Sequence, residues 1–301
     1  MKIYICVPNI LNNGGIKVAA QWTKFLRDHG YDAILANGPG NPCMGYWNFT
    51  VPTCSFAQIE DHPENKIVHN WGQDILQTQH IHLSQIYYYA QDCAQPCYPL
   101  NEQYMPLMLK MRFITIGHHS HYYYLYNYKV QSKMVNNFVD QEVFYPREKI
   151  KNRICFLKHR EHYIDGIEKA FESLGFSTIA ASGTQQEVAE ALGTAEYFVS
   201  FAPGIYDGYE KSEGFPLPPA EAMSSGCVVF CMDSNGINEY VLNRINAIYH
   251  GGGFNDVATK LLEIKDNEPY KKWLADNAFN TFKYRFNKEN TWNQIKAALD
   301  L

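Results

Sequence analysis

Several common signatures of metal and dinucleotide sites are absent from this sequence of 301 residues. Its eight cysteines include no Cys-x2-Cys pair, so there is no zinc framework of paired cysteines. No Asp-x-Asp occurs, so a metal site built on that motif is not indicated. No Gly-x-Gly-x-x-Gly occurs either, and its absence argues against a dinucleotide-binding dehydrogenase. No apolar run approaches the ~20 residues that span a bilayer, and the first residues do not have the pattern of a secretory signal.

Composition indicates a folded, mildly acidic protein of about two domains. Apolar residues make up 46% of the chain and charged residues 19%, which is the balance of a globular protein. The net charge of −5 argues against a strong electrostatic footprint for nucleic acid. Several cysteines lie in apolar runs, such as Cys227 and Cys231, and we interpret them as buried free thiols in a reducing compartment. We therefore expect a cytoplasmic protein.

The first half opens with the pattern of a parallel α/β sheet. A short apolar strand at Lys2–Val7 leads through a loop to Gly14-Gly15, and a helix is predicted from Ile16 to Gly30. Paired glycines at a helix start let the backbone approach a phosphate or an acceptor closely. Further strands are predicted at Tyr31–Ala36, Lys66–His69, Ile86–Ala90 and Phe113–Ile116.

The second half repeats this alternation of strands and helices. Strands are predicted at Ile154–Leu157, Ser177–Ala181, Tyr197–Phe201 and Cys227–Met232, helices at Tyr163–Leu174 and Gln185–Leu192, and two helical segments after Phe254. Lys158 and Arg160 directly follow the first of these strands, and ligands of open α/β sheets bind at the carboxyl ends of strands.

The most informative stretch runs from Glu213 to Gly226. It passes from a glycine-containing loop through prolines into an apolar helical run, and we expect the helix to start near Pro218 or Pro219. The free N–H groups and the positive dipole end of such a helix suit an anion. Glu213 and Glu221 flank the turn, and each carboxylate can accept two hydroxyls of a sugar or ribose diol. The pattern indicates a site for a sugar–diphosphate–nucleoside.

This stretch resembles the Glu-x7-Glu signature of GT-B glycosyltransferases, family 4. The segment Tyr88-Tyr89-Ala90-Gln91-Asp92 resembles the rhamnosyltransferase-like branch, with Gln91 and Asp92 where many members have a histidine. The resemblance implies an α/β protein of the GT-B fold, two Rossmann-like domains with parallel sheets facing across a cleft. It implies an acceptor domain at 1–145, a donor domain at 146–282, and a C-terminal helix at 283–301 that returns to the first domain.

The resemblance also implies a role for each site residue. Glu213 would bind the transferred sugar, Glu221 the ribose diol, and Lys158 and Arg160 the diphosphate. Asp92 is either a carboxylate near the acceptor or sugar, or a plain turn residue. The expected donor-binding residues are Gly14, Gly15, Gly183, Thr184, Gly214, Phe215, Pro216, Leu217 and Glu221.

The implied activity is glycosyl transfer from a nucleotide sugar to a hydroxyl acceptor, such as a glycan or a lipid-linked sugar, with retained anomeric configuration. No metal and no other cofactor are expected, and membrane contact is at most peripheral. Alternatives are a nucleotide-sugar epimerase on the same scaffold, a glycosyltransferase of modified DNA bases, and a non-catalytic nucleotide-sugar-binding protein. Near Ser120 we expect a helix cap, and we assign His118, His119 and His121 to turn and cap roles rather than to a metal site.

Overall fold

The computed structural model describes residues 1–8, 14–38, 49–91, 104–157, 166–201, 205–206, 209–210 and 214–301. These residues form two compact units, each with its own parallel sheet. One unit comprises Met1–Asn137 and Asn293–Leu301, and the other comprises Phe138–Trp292.

The sheet of the first unit has seven parallel strands in the order β3-β2-β1-β4-β5-β6-β7. The strands are β1 (Lys2–Val7), β2 (Asp32–Asn37), β3 (Thr53–Ser55), β4 (Lys66–His69), β5 (Ile86–Ala90), β6 (Arg112–Thr115) and β7 (Ser132–Met134). Short 3-10 helices at Phe56–Gln58, Gly72–Thr78 and Leu83–Gln85 connect some of them.

The helices described along the chain are α1 (Gly14–Asp28), α2 (Met105–Met108), α3 (His118–Tyr128), α4 (Ile167–Ser173), α5 (Gln185–Thr194), α6 (Leu217–Ser224), α7 (Phe254–Ile264), α8 (Glu268–Tyr284) and α9 (Lys288–Leu299). Helix α1 ends as predicted near Gly30, whose left-handed backbone (φ 86°) lets Tyr31 N–H close the helix by bonding Leu26 O at 3.1 Å.

Both faces of the first sheet are covered, which explains why strands such as β1 and β5 are almost wholly apolar and buried. On one face, Trp22 of α1 stacks on Tyr89 of β5 with a ring-centroid distance of 4.6 Å. On the other, Phe113 packs between Tyr88 and Tyr124, with centroid distances of 5.2 and 5.0 Å. Interleaved aromatic rings therefore anchor helices on both sides of the central strands.

The last residues of the chain pack within the first unit. Gln294 accepts a hydrogen bond from Asn136 N–H at 2.8 Å, and Asp300 lies within 2.9 Å of Arg112 and 2.7 Å of Lys133. These ion pairs are exposed, so the buried residues of α9, including Ile295 and Leu299, supply the main stabilisation of this segment.

The sheet of the second unit has five parallel strands in the order β14-β13-β10-β8-β9. Its strands are β8 (Ile150–Leu157), β9 (Ser177–Ala181), β10 (Ala195–Val199), β13 (Val228–Met232) and β14 (Ile248–His250), and a separate antiparallel pair is formed by β11 (Ile205–Tyr206) and β12 (Tyr209–Glu210). The core contains Phe156, Phe171, Tyr197 and Phe230, all fully buried.

The structure corrects two sequence predictions. Three helices, not two, begin at or after Phe254. Helix α7 ends at Ile264, and α8 starts after Asn267, whose side chain caps it by accepting Tyr270 N–H at 3.2 Å. Ser120 is not the cap of α3. The cap position is Gly117, and Ser120 lies inside the helix with its hydroxyl donating to Gly117 O at 3.1 Å.

Candidate functional site

The predicted site residues divide into two groups by whether the structure describes them. Four predicted catalytic residues lie outside the described residues, so their roles stay predictions: Asp92, Lys158, Arg160 and Glu213. The nine predicted donor-binding residues are all described, with Gly14 and Gly15 in the first unit and the other seven in the second.

Gly15 lies where side chains from two strand ends crowd the start of α1. A Cβ atom on Gly15 would lie 2.6 Å from Trp71 Cη2 and 2.5 Å from Gln91 Oε1. The Gln91 amide donates to Gly15 O at 3.4 Å and to Asn70 Oδ1 at 3.2 Å, and the Asn70 amide donates to Cys6 O at 3.1 Å. This network joins the carboxyl ends of β1, β4 and β5. Close packing therefore explains the glycine at position 15 without any ligand.

Two buried titratable groups, His69 at the end of β4 and Asp74 after it, were missed by sequence reasoning. The hydroxyl of Thr78 donates to Ile75 O at 3.1 Å, so His69 Nε2–H donates to that hydroxyl at 2.9 Å and Nδ1 is the bare nitrogen. Burial lowers the pKa of His69 to about 3, so the ring is neutral at physiological pH. No hydrogen-bond partner for Nδ1 lies within the described residues.

Asp74 is the second of these groups, and its side chain is nearly inaccessible at 4% exposure. Burial raises its pKa to about 7, because an ionised carboxylate is poorly solvated there. Within the described part of the chain, no donor reaches Oδ2. Burial raises the pKa of the Cys6 thiol, and the Asp74 carboxyl adds to this effect.

In the second unit, the turn after β9 is held by a capping box. Thr184 N–H and the Thr184 hydroxyl each donate to Glu187 Oε2 at 2.7 Å, and Glu187 N–H donates back to the Thr184 hydroxyl at 3.3 Å. These bonds lower the pKa of Glu187. Gly183 has φ 100°, and a Cβ there would collide with Glu187 Oε2. Thr184 N–H therefore already has an acceptor within its own turn.

The loop that precedes α6 is anchored by aromatic packing. The Phe215 ring is buried against Tyr240 and Phe286, with centroid distances of 4.8 and 5.3 Å. The Tyr240 hydroxyl donates to Pro216 O at 2.6 Å. Helix α6 begins at Leu217, one residue before Pro218, the earlier of the two predicted starts, and no side chain of the described residues caps its first turn. Tyr240 thus holds both the loop, through Phe215, and the start of the helix, through Pro216 O.

Glu221 lies one turn into α6 and is only 4% exposed. A carboxylate is almost never buried to this extent without a specific interaction. The far end of α6 is fixed by Lys149, whose Nζ donates to Ser225 O at 2.7 Å and to Leu192 O, near the end of α5, at 3.3 Å. Both ends of the helix that carries Glu221 are therefore tied to neighbouring elements.

A buried histidine joins two further strand ends of the second sheet. His250 Nε2–H donates to Ser200 O at 2.8 Å, and Nδ1 accepts Gly252 N–H at 3.0 Å. Burial lowers the pKa of His250, which favours the neutral ring that both bonds require. His250 thus fixes the backbone where β10 and β14 end, a contact between residues 50 positions apart that no local pattern reveals.

Comparison with known proteins identifies the fold through solved structures. No family model matches the sequence, and no curated protein matches it. The sucrose-phosphate synthase of Thermosynechococcus elongatus is similar in structure, with a TM-score of 0.71 and 11% identity over 98% of this chain and 97% of that one. A glycosyltransferase from Rickettsia africae ESF-5 gives a TM-score of 0.72 at 12% identity, covering 99% of this chain and 97% of its own. Anabaena HepE in complex with UDP and glucose gives 0.71 at 12%, covering 100% and 99%.

The fold is that of GT-B glycosyltransferases. The predicted pair of Rossmann-like domains with parallel sheets is confirmed. Among the described residues, no group of three His, Cys, Asp or Glu side chains is arranged to hold a metal ion, and no helix there has the length and apolarity needed to cross a bilayer.

Proposed function

We propose that this protein is a glycosyltransferase of family 4 type, which moves a sugar from a nucleotide-diphosphate sugar to a hydroxyl acceptor with retention and without a metal ion. The observation that carries the proposal is the buried Glu221 on a helix whose entry loop, Gly214 to Pro216, is fixed at the carboxyl side of a parallel sheet. HepE, which is similar over the full chain, is a protein solved with UDP and with UDP-glucose.

In the proposed reaction the protein binds the diphosphate while the bond between the diphosphate and the sugar breaks. The acceptor oxygen forms a bond to the anomeric carbon, the bonding electrons leave with the diphosphate oxygen, and the proton of the acceptor hydroxyl is released. Catalysis then consists of stabilising the developing charge on the diphosphate. We assign this to Lys158, Arg160 and the start of α6, the ribose diol to Glu221, and the transferred sugar to Glu213.

The assignment of Glu221 is tested by donor binding. The Glu221→Gln variant keeps the side-chain volume but removes the negative charge that accepts two hydroxyls. We expect wild-type protein to bind at least one of a panel of nucleotide sugars in calorimetry and the variant to bind it at least about tenfold more weakly, since hydrogen bonds to charged groups contribute about 1.5–3 kcal/mol. The matched control is Glu190→Gln, at an exposed position of the same unit. Equal donor affinity of Glu221→Gln and wild type would remove Glu221 from the site.

A further inference from the structure

The peptide group between Pro216 and Leu217 lies at the entry of α6, and its carbonyl oxygen accepts the Tyr240 hydroxyl at 2.6 Å. The other end of the same peptide group is the Leu217 N–H. Tyr240 therefore bonds the carbonyl oxygen of a peptide group whose N–H is the first N–H of the helix.

The first turn of α6 has few donors of its own. Helix starts usually bind anions through several free N–H groups. Here the second and third helical residues are Pro218 and Pro219, and proline has no N–H. Among the first three residues of α6, only Leu217 has a donor. An anion at this helix start depends on that one N–H, together with the loop that precedes it.

A hydrogen bond to a carbonyl oxygen affects the N–H across the same peptide bond. Because the peptide group is planar and trans, its N–H points opposite to its C=O. Fixing the oxygen of Pro216 thus fixes the direction of the Leu217 N–H. The same bond polarises the amide and strengthens it as a donor, by about 10–30% in condensed-phase estimates.

Tyr240 is itself held firmly enough to serve this purpose. Its ring is buried and packs on Phe215, Phe282 and Phe286, with centroid distances of 4.8, 5.4 and 6.2 Å. Its backbone carbonyl accepts the Asn246 amide at 2.9 Å. A side chain fixed on both sides can hold a neighbouring peptide within the narrow angular range that a ligand contact needs.

We propose that Tyr240 is a positioning residue that aims and polarises the Leu217 N–H toward a diphosphate oxygen of the donor. The proposal rests on the proposed function, because it assumes that a nucleoside diphosphate binds at the start of α6. Tyr240 contacts no substrate in this account. It acts through the peptide group alone.

The first test compares two tyrosine-to-phenylalanine variants. Tyr240→Phe removes the hydroxyl but keeps the ring packing. Tyr270→Phe removes a bond of the same kind in the same unit, from Tyr270 Oη to Arg244 O at 3.2 Å, and is the matched control. UDP, GDP and dTDP are titrated into wild-type protein by calorimetry, and the tightest is used for both variants. We expect Tyr240→Phe to bind it about fivefold more weakly and Tyr270→Phe to bind it like wild type.

The second test observes the Leu217 amide directly. Pro-Leu occurs three times in the sequence, at Pro99-Leu100, Pro106-Leu107 and Pro216-Leu217. Labelling proline carbonyls with 13C and leucine nitrogens with 15N selects these pairs in an NMR carbonyl-correlation spectrum, and the Leu217→Met variant identifies the third signal by its loss. We expect the Leu217 signal to differ between wild type and Tyr240→Phe, and to shift when nucleoside diphosphate is added to wild type.

The outcomes separate the proposal from the function beneath it. If wild type binds a nucleoside diphosphate but Tyr240→Phe binds it equally well and the Leu217 signal does not respond, Tyr240 has no positioning role and the proposed function stands. If Tyr240→Phe and Tyr270→Phe weaken binding equally, the effect is general loosening and the proposal is wrong. If wild type binds none of the nucleotides, both the function and the positioning role are overturned.

Discussion

Trp71 lies so close to the backbone of Gly15 that a single added methyl group would come within 2.6 Å of its indole ring. We expect Gly15→Ala to lower the free energy of unfolding by about 1–3 kcal/mol, because Trp71 and Gln91 must both move to make room. Denaturant unfolding monitored by tryptophan fluorescence measures this. Gly38→Ala is the control, since a Cβ there would meet, among the described residues, only Pro8 O at an ordinary 3.9 Å. Equal stability of the two variants would contradict the packing account.

The buried pair His69 and Asp74 predicts opposite dependences of stability on pH. Asp74 has a pKa of about 7 in the folded protein and about 3.8 unfolded, so between these values the folded state binds the extra proton. Its contribution to stability falls as the pH rises through that window. His69 has a pKa of about 3 folded and about 6.5 unfolded, so its contribution is lost as the pH falls from 6.5 toward 3.

Single substitutions separate these two effects. The stability of Asp74→Asn relative to wild type should improve as the pH rises from about 4 to about 7, by an amount on the order of 2–4 kcal/mol. The stability of His69→Gln relative to wild type should improve in the opposite direction, as the pH falls from about 6.5. Thermal unfolding midpoints at a series of pH values check both slopes. A difference from wild type that does not change with pH would show that the two groups have ordinary pKa values.

Lys149 joins the ends of two helices, and its loss should destabilise the second unit. Lys149→Met removes the Nζ donor of Ser225 O and leaves Leu192 O with only the Cys227 thiol, at 3.1 Å, among the described residues, and we expect a loss of about 1–3 kcal/mol in unfolding free energy. Lys151→Met is the matched control, because Lys151 is exposed and its ion pair with Glu268 has a distance of 3.5 Å between two exposed side chains. Chemical denaturation of the two variants side by side measures the difference. A Lys149→Met variant as stable as its control would show that these carbonyls are satisfied in another way.

The sequence predicts those features of the fold that depend on neighbouring residues, and not those that depend on residues far apart along the chain. Strands β1, β4, β5 and β9 have the predicted bounds because each is a compact apolar run next to turn residues. Strands of three residues, such as β7 and β14, were missed, since so short a segment has no readable period. Local patterns thus suffice for the alternation of strands and helices.

The site shows the same division. The start of α6 within one residue of its predicted position follows from proline and glycine chemistry in one short stretch. The contacts that hold the start of α6 do not follow from that stretch. Tyr240 bonds Pro216 across 24 positions, and Gln91 bonds Gly15 across 76, so only the folded chain brings them together. The capping box was missed as well, although Thr184-Gln185-Gln186-Glu187 has its Thr-x-x-Glu pattern in the sequence.

Metal independence is a separate prediction. The proposed mechanism neutralises the diphosphate with protein groups, and the sequence has no Asp-x-Asp. We expect glycosyl transfer to change by less than about twofold in the presence of excess EDTA, since losing a metal that stabilises charge would cost several kcal/mol. Initial rates with and without EDTA measure this. Loss of activity that added Mg²⁺ or Mn²⁺ restores would contradict it.

The central claim is tested most directly by following the donor sugar by NMR. Wild-type protein is incubated with the nucleotide sugar it binds best, with and without a panel of hydroxyl acceptors. The account predicts that nucleoside diphosphate and a new glycosidic anomeric signal of the donor's configuration appear together, only when an acceptor is present, and that Glu221→Gln forms neither. An epimerised nucleotide sugar without any acceptor, or binding with no release of nucleoside diphosphate under any condition, would contradict it.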